Sequence, residues 1–133
     1  YYWKEMAALS RLFFVEAVGA QTNLSFQPER CLEHYEKEGG ELRKLRIWAT
    51  FHPEIEQPQA FAEKCRYLSE RGARFSVGAV GNPAAIADIR KLADLLPEDI
   101  YLWINRMDGL FSWRQTEGEE CAIFPHPGHQ RED

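Results

Sequence analysis

Four apolar runs, Phe13 to Ala20, Leu45 to Phe51, Phe75 to Val80 and Ile100 to Ile104, recur at roughly thirty-residue intervals along the chain. Between them the hydrophobic positions change to helical spacing, the rhythm of consecutive βα units. Ahead of the first run, Trp3, Met6, Ala7, Leu9 and Leu12 form an apolar stripe beside Lys4, Glu5 and Arg11, which predicts an amphipathic helix over Tyr2 to Leu12. Pro28 suits the first turn of a second helix through Arg30, Leu32 and Tyr35, and the Gly39-Gly40 pair ends it. A third helix, Pro58 to Arg71, aligns Phe61, Cys65 and Leu68, with Gly72 in the position just past its end. In the fourth, opened by Gly81-Asn82-Pro83, the stripe is Ile86, Ile89, Leu92 and Leu96, and Pro97 stops it.

The order is therefore αβαβαβαβ, and right-handed crossovers make the strands parallel. The first strand is expected to start at Phe14. The second, Leu-Arg-Ile-Trp-Ala-Thr-Phe, reads as a parallel strand covered on both faces. The fold expected is α/β, either an open sheet or an arc of a parallel (β/α) barrel built from four βα units. It occupies residues 1–106, and 107–133 form an irregular tail without clear periodicity.

Every strand run gives way to polar or turn-forming residues: Gln21-Thr22-Asn23, His52-Pro53-Glu54, Gly81-Asn82-Pro83 and Asn105-Arg106. Ligands of parallel α/β folds sit beyond the carboxyl ends of the strands, so these four ends together would form one polar rim.

Composition narrows the classes of function. A net charge of −5 and a pI near 5.4 argue against sequence-independent binding of nucleic acid or anionic lipid. No apolar stretch approaches the roughly 18 residues that span a bilayer, and the N-terminus has no basic and then apolar leader. A cytoplasmic protein with neither nucleic acid nor membrane as partner is expected. Cys31, Cys65 and Cys121 are odd in number and far apart, which fits neither a disulfide framework nor a Cys-x-x-Cys metal site. Cys65 is expected to pack inside its helix. The chain opens on Tyr1-Tyr2-Trp3 inside a helical pattern without an initiator Met, as a piece of a longer protein would.

Two constellations carry chemistry of their own. His52 and Glu54 flank Pro53 in a short rigid loop, where an imidazole beside a carboxylate can move a proton, bind a polar substrate or help hold a hydrolytic metal; the plainer alternative is a structural hydrogen bond. Cys121, His126 and His129 have zinc-binding side chains but no evident fourth ligand.

The run Val18-Gly-Ala-Gln-Thr-Asn-Leu-Ser resembles the third barrel strand of radical S-adenosylmethionine (SAM) enzymes, in particular the sulfatase-maturase-like, SPASM-type branch. In the same order, Leu45 to Glu54, Arg74 to Gly81 and Tyr101-Leu-Trp-Ile-Asn resemble the fourth, fifth and sixth strands. The likeness covers Tyr2 to Arg106 and is similar to a bacterial subgroup of that branch. It implies strands three to six of a (β/α)6 core, with SAM and a [4Fe-4S] cluster as cofactors of the intact enzyme. A reductant would feed the cluster, and a 5′-deoxyadenosyl radical would take hydrogen from a small-molecule or peptide substrate.

By the same resemblance Gln21, Thr22, Asn23, Thr50, Gly81 and Asn105 would contact the cofactor pocket, and His52 and Glu54 would face the substrate. The plainer alternative is that Thr22 and Asn23 close a turn and cap the next helix, and that Thr50 is an ordinary strand residue. The family's Cys-x-x-x-Cys-x-x-Cys has no counterpart here, and Gly39-Gly40-Glu41 lies too late to be its Gly-Gly-Glu. The resemblance thus implies a fragment that begins after strand two, without cluster ligands and inactive alone. Two rivals from other classes are a small non-enzymatic α/β domain that binds a metabolite or partner at its strand ends, and a metal-dependent hydrolase fragment using His52 and Glu54.

Overall fold

A computed structural model describes residues 2–106. Helix α1 (Tyr2–Ser10) leads into strand β1 (Val18–Thr22), followed by α2 (Pro28–Lys37) and a short 3-10 turn, Leu42–Lys44. Then come β2 (Leu45–Phe51), α3 (Pro58–Glu70), β3 (Arg74–Gly81), α4 (Ile86–Leu95) and β4 (Tyr101–Arg106). The fold is α/β, and its one sheet has the order β1-β2-β3-β4 with every neighbouring pair parallel.

Local chemistry explains where the helices stop. At the end of α2, Gly39 takes a φ of 81° and donates to Glu36 O, while Gly40 donates to Tyr35 O, the paired bonds of a Schellman motif. The end of α3 repeats it, with Gly72 at φ 90° donating to Ser69 O and Ala73 donating to Leu68 O. Helix α1 is closed from outside instead: Lys44 Nζ donates to Ser10 O at 2.6 Å and to Leu12 O at 3.1 Å, a cation at a helix carboxyl end. Helix α4 starts at Ile86, later than Gly81-Asn82-Pro83 suggests, because Asn82 first makes a turn in which its backbone and side-chain oxygens both accept from Ala85 N.

The first strand begins at Val18 and not at Phe14. Phe13 and Phe14 lie in the connection from α1, 95% and 67% exposed, with their rings edge to face at 5.3 Å. Turn bonds Leu12 N to Leu9 O and Val15 N to Leu12 O carry the chain around there, so the aromatic start of that run is a loop. Leu9 is also half-exposed, and the buried face of α1 is Met6, Ala7 and Ser10.

Burial along β2 alternates strictly. Leu45, Ile47, Ala49 and Phe51 enter a core with Leu32 and Tyr35 of α2, Phe61, Cys65 and Leu68 of α3, and Ile89 and Leu92 of α4. Arg46, Trp48 and Thr50 stand on the opposite face, with Trp48 37% exposed. The expectation of a strand covered on both faces is thus corrected: the helices bury one face. The run looked uniformly apolar because Trp48 adds hydrophobicity on the face they leave open. No helix among the described residues is long and apolar enough to cross a membrane.

Cys65 packs inside α3 as expected and is fully buried. Burial pushes its thiol up to about 12, with the nearby Glu56 charge adding to the effect. The unfolded chain loses this proton near pH 9 while the folded chain keeps it, so above that pH the unfolded state holds fewer protons and stability falls. The expected slope is about 1.4 kcal/mol per pH unit between roughly 9 and 12. Urea titrations at pH 8, 9.5 and 10.5 check it, and Cys65→Ala should remove that part of the alkaline loss.

Candidate functional site

Residues paired across a parallel sheet share a face, so the register sorts the open face into rows. Nearest the amino ends of the strands stand Gly19, Arg46 and Arg74. The next row is Gln21, Trp48, Ser76 and Tyr101, and above it come Thr50, Gly78 and Trp103. Val80 and Asn105 follow, level with the rim.

The indoles of Trp48 and Trp103 meet edge to face at 5.3 Å and 81°, and Tyr101 lies 6.3 Å from Trp103. Gly78 makes room for them. A Cβ on Gly78 would stand 3.3 Å from Trp48 Nε1 and 3.6 Å from Trp103 Cδ1, so an alanine there requires Trp48 to give by a few tenths of an ångström and leaves Trp103 in ordinary contact. The open face therefore carries an aromatic centre flanked by neutral hydrogen-bonding groups toward the rim.

At the carboxyl ends the structure separates the expected rim residues. Thr22 follows Val18 and Ala20 in alternation and so belongs to the helix side of β1, where its Oγ1 accepts from Leu24 N at 3.1 Å. Asn23 Oδ1 accepts from Ser25 N at 3.0 Å. Both side chains close the β1–α2 turn, as their plainer reading has it, but neither caps the next helix: the N-cap position of α2 is Gln27, which makes no side-chain cap. Gln21 and Thr50 stand on the open face in neighbouring strands, and Gly81 ends β3 opposite Arg106. Asn105 is exposed at the end of β4.

His52 and Glu54 do come together. His52 Nδ1 lies 3.2 Å from Glu54 Oε1, with the two side chains 36% and 69% exposed. The carboxylate fixes which way the ring faces and leaves Nε2 for another partner. The loop that carries them is short and ordered, because His52 O accepts from both Ile55 N and Glu56 N.

Sequence reasoning missed the group that holds the rim loops. Lys64 Nζ, from α3, lies 2.6 Å from Glu56 Oε1 and donates to Leu24 O at 2.7 Å. One ammonium thus ties the β1–α2 turn to the β2–α3 loop. Leu24 is fully buried at φ 55°, a conformation that costs a non-glycine residue free energy and is offset by these contacts. Lys64→Met should cost about 2 kcal/mol, between the value of an exposed and a fully buried pair, since both partners retain some solvent contact. Urea denaturation of Lys64→Met and of Lys64→Met/Glu56→Gln checks it, with the double variant recovering part of the loss. Only the contact, and nothing in the spacing, reveals this link.

Among the described residues no group of three or more His, Cys, Asp or Glu could hold a metal ion. Cys31 lies on α2 and Cys65 inside α3, and among the described residues no third His, Cys, Asp or Glu joins His52 and Glu54 in such a group. Cys121, His126 and His129, with the expected tail 107–133, lie outside the described residues. No family model matches the chain, and neither a curated protein nor a solved structure matches it significantly.

Proposed function

We propose that residues 2–106 are an arc of a (β/α) barrel, strands three to six of a radical SAM core, whose open face lines the barrel interior. One observation carries the reading: the strands follow one another in sequence order, all parallel, with the buried side chains of α2, α3 and α4 packed on one face. Right-handed crossovers without a reversal of strand order keep every helix on the same side, as in a barrel, whereas doubly wound sheets reverse and cover both faces. The rows of the open face correspond to the side-chain layers that fill such an interior. The strings at the ends of β1 to β4 add the likeness to the SAM enzymes.

Gln21 and Thr50 are neutral groups on the open face, able to donate and accept, and fit recognition of the polar parts of SAM. SAM held there would supply a hydrogen-abstracting alkyl radical on one-electron reduction with release of methionine, and the ligands of the cluster that would deliver the electron would lie outside residues 2–106. In this reading Trp48 and Trp103 exclude water beneath the reacting groups. His52, oriented by Glu54, exchanges a proton with the substrate at Nε2.

The test uses the intact product of the gene encoding this chain, purified without oxygen, with its iron–sulfur content restored. Release of 5′-deoxyadenosine from SAM is expected, with the KM for SAM raised about tenfold in Thr50→Ala and Gln21→Ala, the loss of one good hydrogen bond each. Absence of 5′-deoxyadenosine from a fully reconstituted protein overturns the proposal.

A further inference from the structure

Below the aromatic pair the open face holds a shallow, solvent-open cavity of about 470 Å³, lined in part by Gln21, Arg46, Trp48, Arg74 and Ser76. That volume suits a small molecule. Its charge is one-sided. Arg46 and Arg74 are direct register partners on adjacent strands, so both arginine side chains leave the same face at one level. Like charges directly opposite one another in a sheet destabilise it. Arg46 Nη1 is turned onto the carbonyls of Arg43 at 2.7 Å and Leu45 at 3.2 Å, and among the described residues neither arginine pairs with a carboxylate. The cavity lining contains no acidic side chain.

This arrangement stands in contrast to the other arginines that meet acids: Arg43 pairs with Glu41 at 2.9 Å and Arg71 with Glu36 at 2.7 Å. In an acidic chain of net charge −5, two adjacent arginines without a counter-charge among the described residues form a local basic site that the overall charge conceals. Guanidinium groups recognise carboxylate and phosphate oxygens through paired N–H donors. Beside them, the indole of Trp48 offers an aromatic wall, and Gln21 and Ser76 in the same row offer neutral hydrogen bonds.

We infer that this cavity binds an oxyanion carried on a planar ring, with the carboxylate or phosphate between Arg46 and Arg74 and the ring against Trp48. Arg46 lies four residues below Thr50 along β2, or about 13 Å at strand rise, so the anion end of the site is apart from the rim, while Gln21 and Trp48 border both. The arginines stand on the sheet face alone, and their anion binding does not require SAM.

The test titrates the full chain with benzoate and with phenyl phosphate, following tryptophan fluorescence and thermal midpoint, with benzyl alcohol as the neutral analogue and inorganic phosphate as the anion without a ring. Saturable binding of benzoate or phenyl phosphate is expected, at least tenfold tighter than that of benzyl alcohol and of inorganic phosphate, and whichever of the two binds tighter identifies the anion. Arg46→Gln and Arg74→Gln should each weaken that binding about tenfold, as loss of a charge-assisted contact does. Without ligand, Arg74→Gln should unfold at the same temperature as the parent or higher, because it relieves the repulsion, so a folding defect and a binding defect are told apart. Equal binding of the neutral analogue, binding unchanged in both variants, or no saturable binding by either anion overturns the inference.

Discussion

Phe61→Ala should lower the free energy of unfolding by about 3–5 kcal/mol, the range for emptying the volume of a buried phenyl ring. Phe61 is fully buried in α3, and its ring meets Phe51 at 5.1 Å. Phe51 is the last residue of β2, immediately before His52. The contact that holds the third helix on the sheet therefore also sets where the rim loop leaves it. Urea denaturation with matched slopes checks the magnitude, and a loss below about 1 kcal/mol would mean that the site collapses around the deletion. Phe61→Leu should lose much less, since it retains most of the apolar volume.

Gly40→Ala is expected to destabilise by about 2–3 kcal/mol, the upper part of the range for overfilling a packed site. A Cβ at Gly40 would stand 2.5 Å from Cε1 and Cζ of Tyr35. That ring cannot swing aside: Tyr35 is fully buried, its hydroxyl donates to Glu41 O at 2.9 Å, and Trp3 packs edge to face against it at 6.4 Å. Relief would require the turn at Gly40 to move off the Tyr35 ring. Thermal unfolding of Gly40→Ala beside Gly72→Ala separates the causes, because Gly72 has open space around it and suffers only the strain of its φ of 90°. Gly40→Ala should show the larger drop.

Much of the architecture was legible because helical and strand periods alternate cleanly. Pro28, Gly39-Gly40, Pro58 and Gly72 punctuate α2 and α3 where their backbone chemistry requires. Apolarity failed as a guide where it served something other than the core. Phe13 and Phe14 extend a hydrophobic run but lie in a turn, and Trp48 makes β2 look buried on both sides while facing an open surface.

The candidate site was legible in part. His52 and Glu54 are two residues apart, so a shared loop brings them together. Thr22 and Asn23 were ambiguous because the same oxygens can close a turn or meet a ligand, and here they close the turn. The Lys64 link joins residues forty positions apart, and the Arg46–Arg74 pairing depends on register, which the sequence order alone does not state.

The barrel-arc reading is tested most directly by translating the source gene in frame upstream of the codon for Tyr1. One further βα unit and the strand that precedes α1 are expected there, with Cys-x-x-x-Cys-x-x-Cys after the first strand and Gly-Gly-Glu at the second. A start codon next to Tyr1 with no such motif ahead of it would contradict the account and leave a free-standing α/β binding domain in its place.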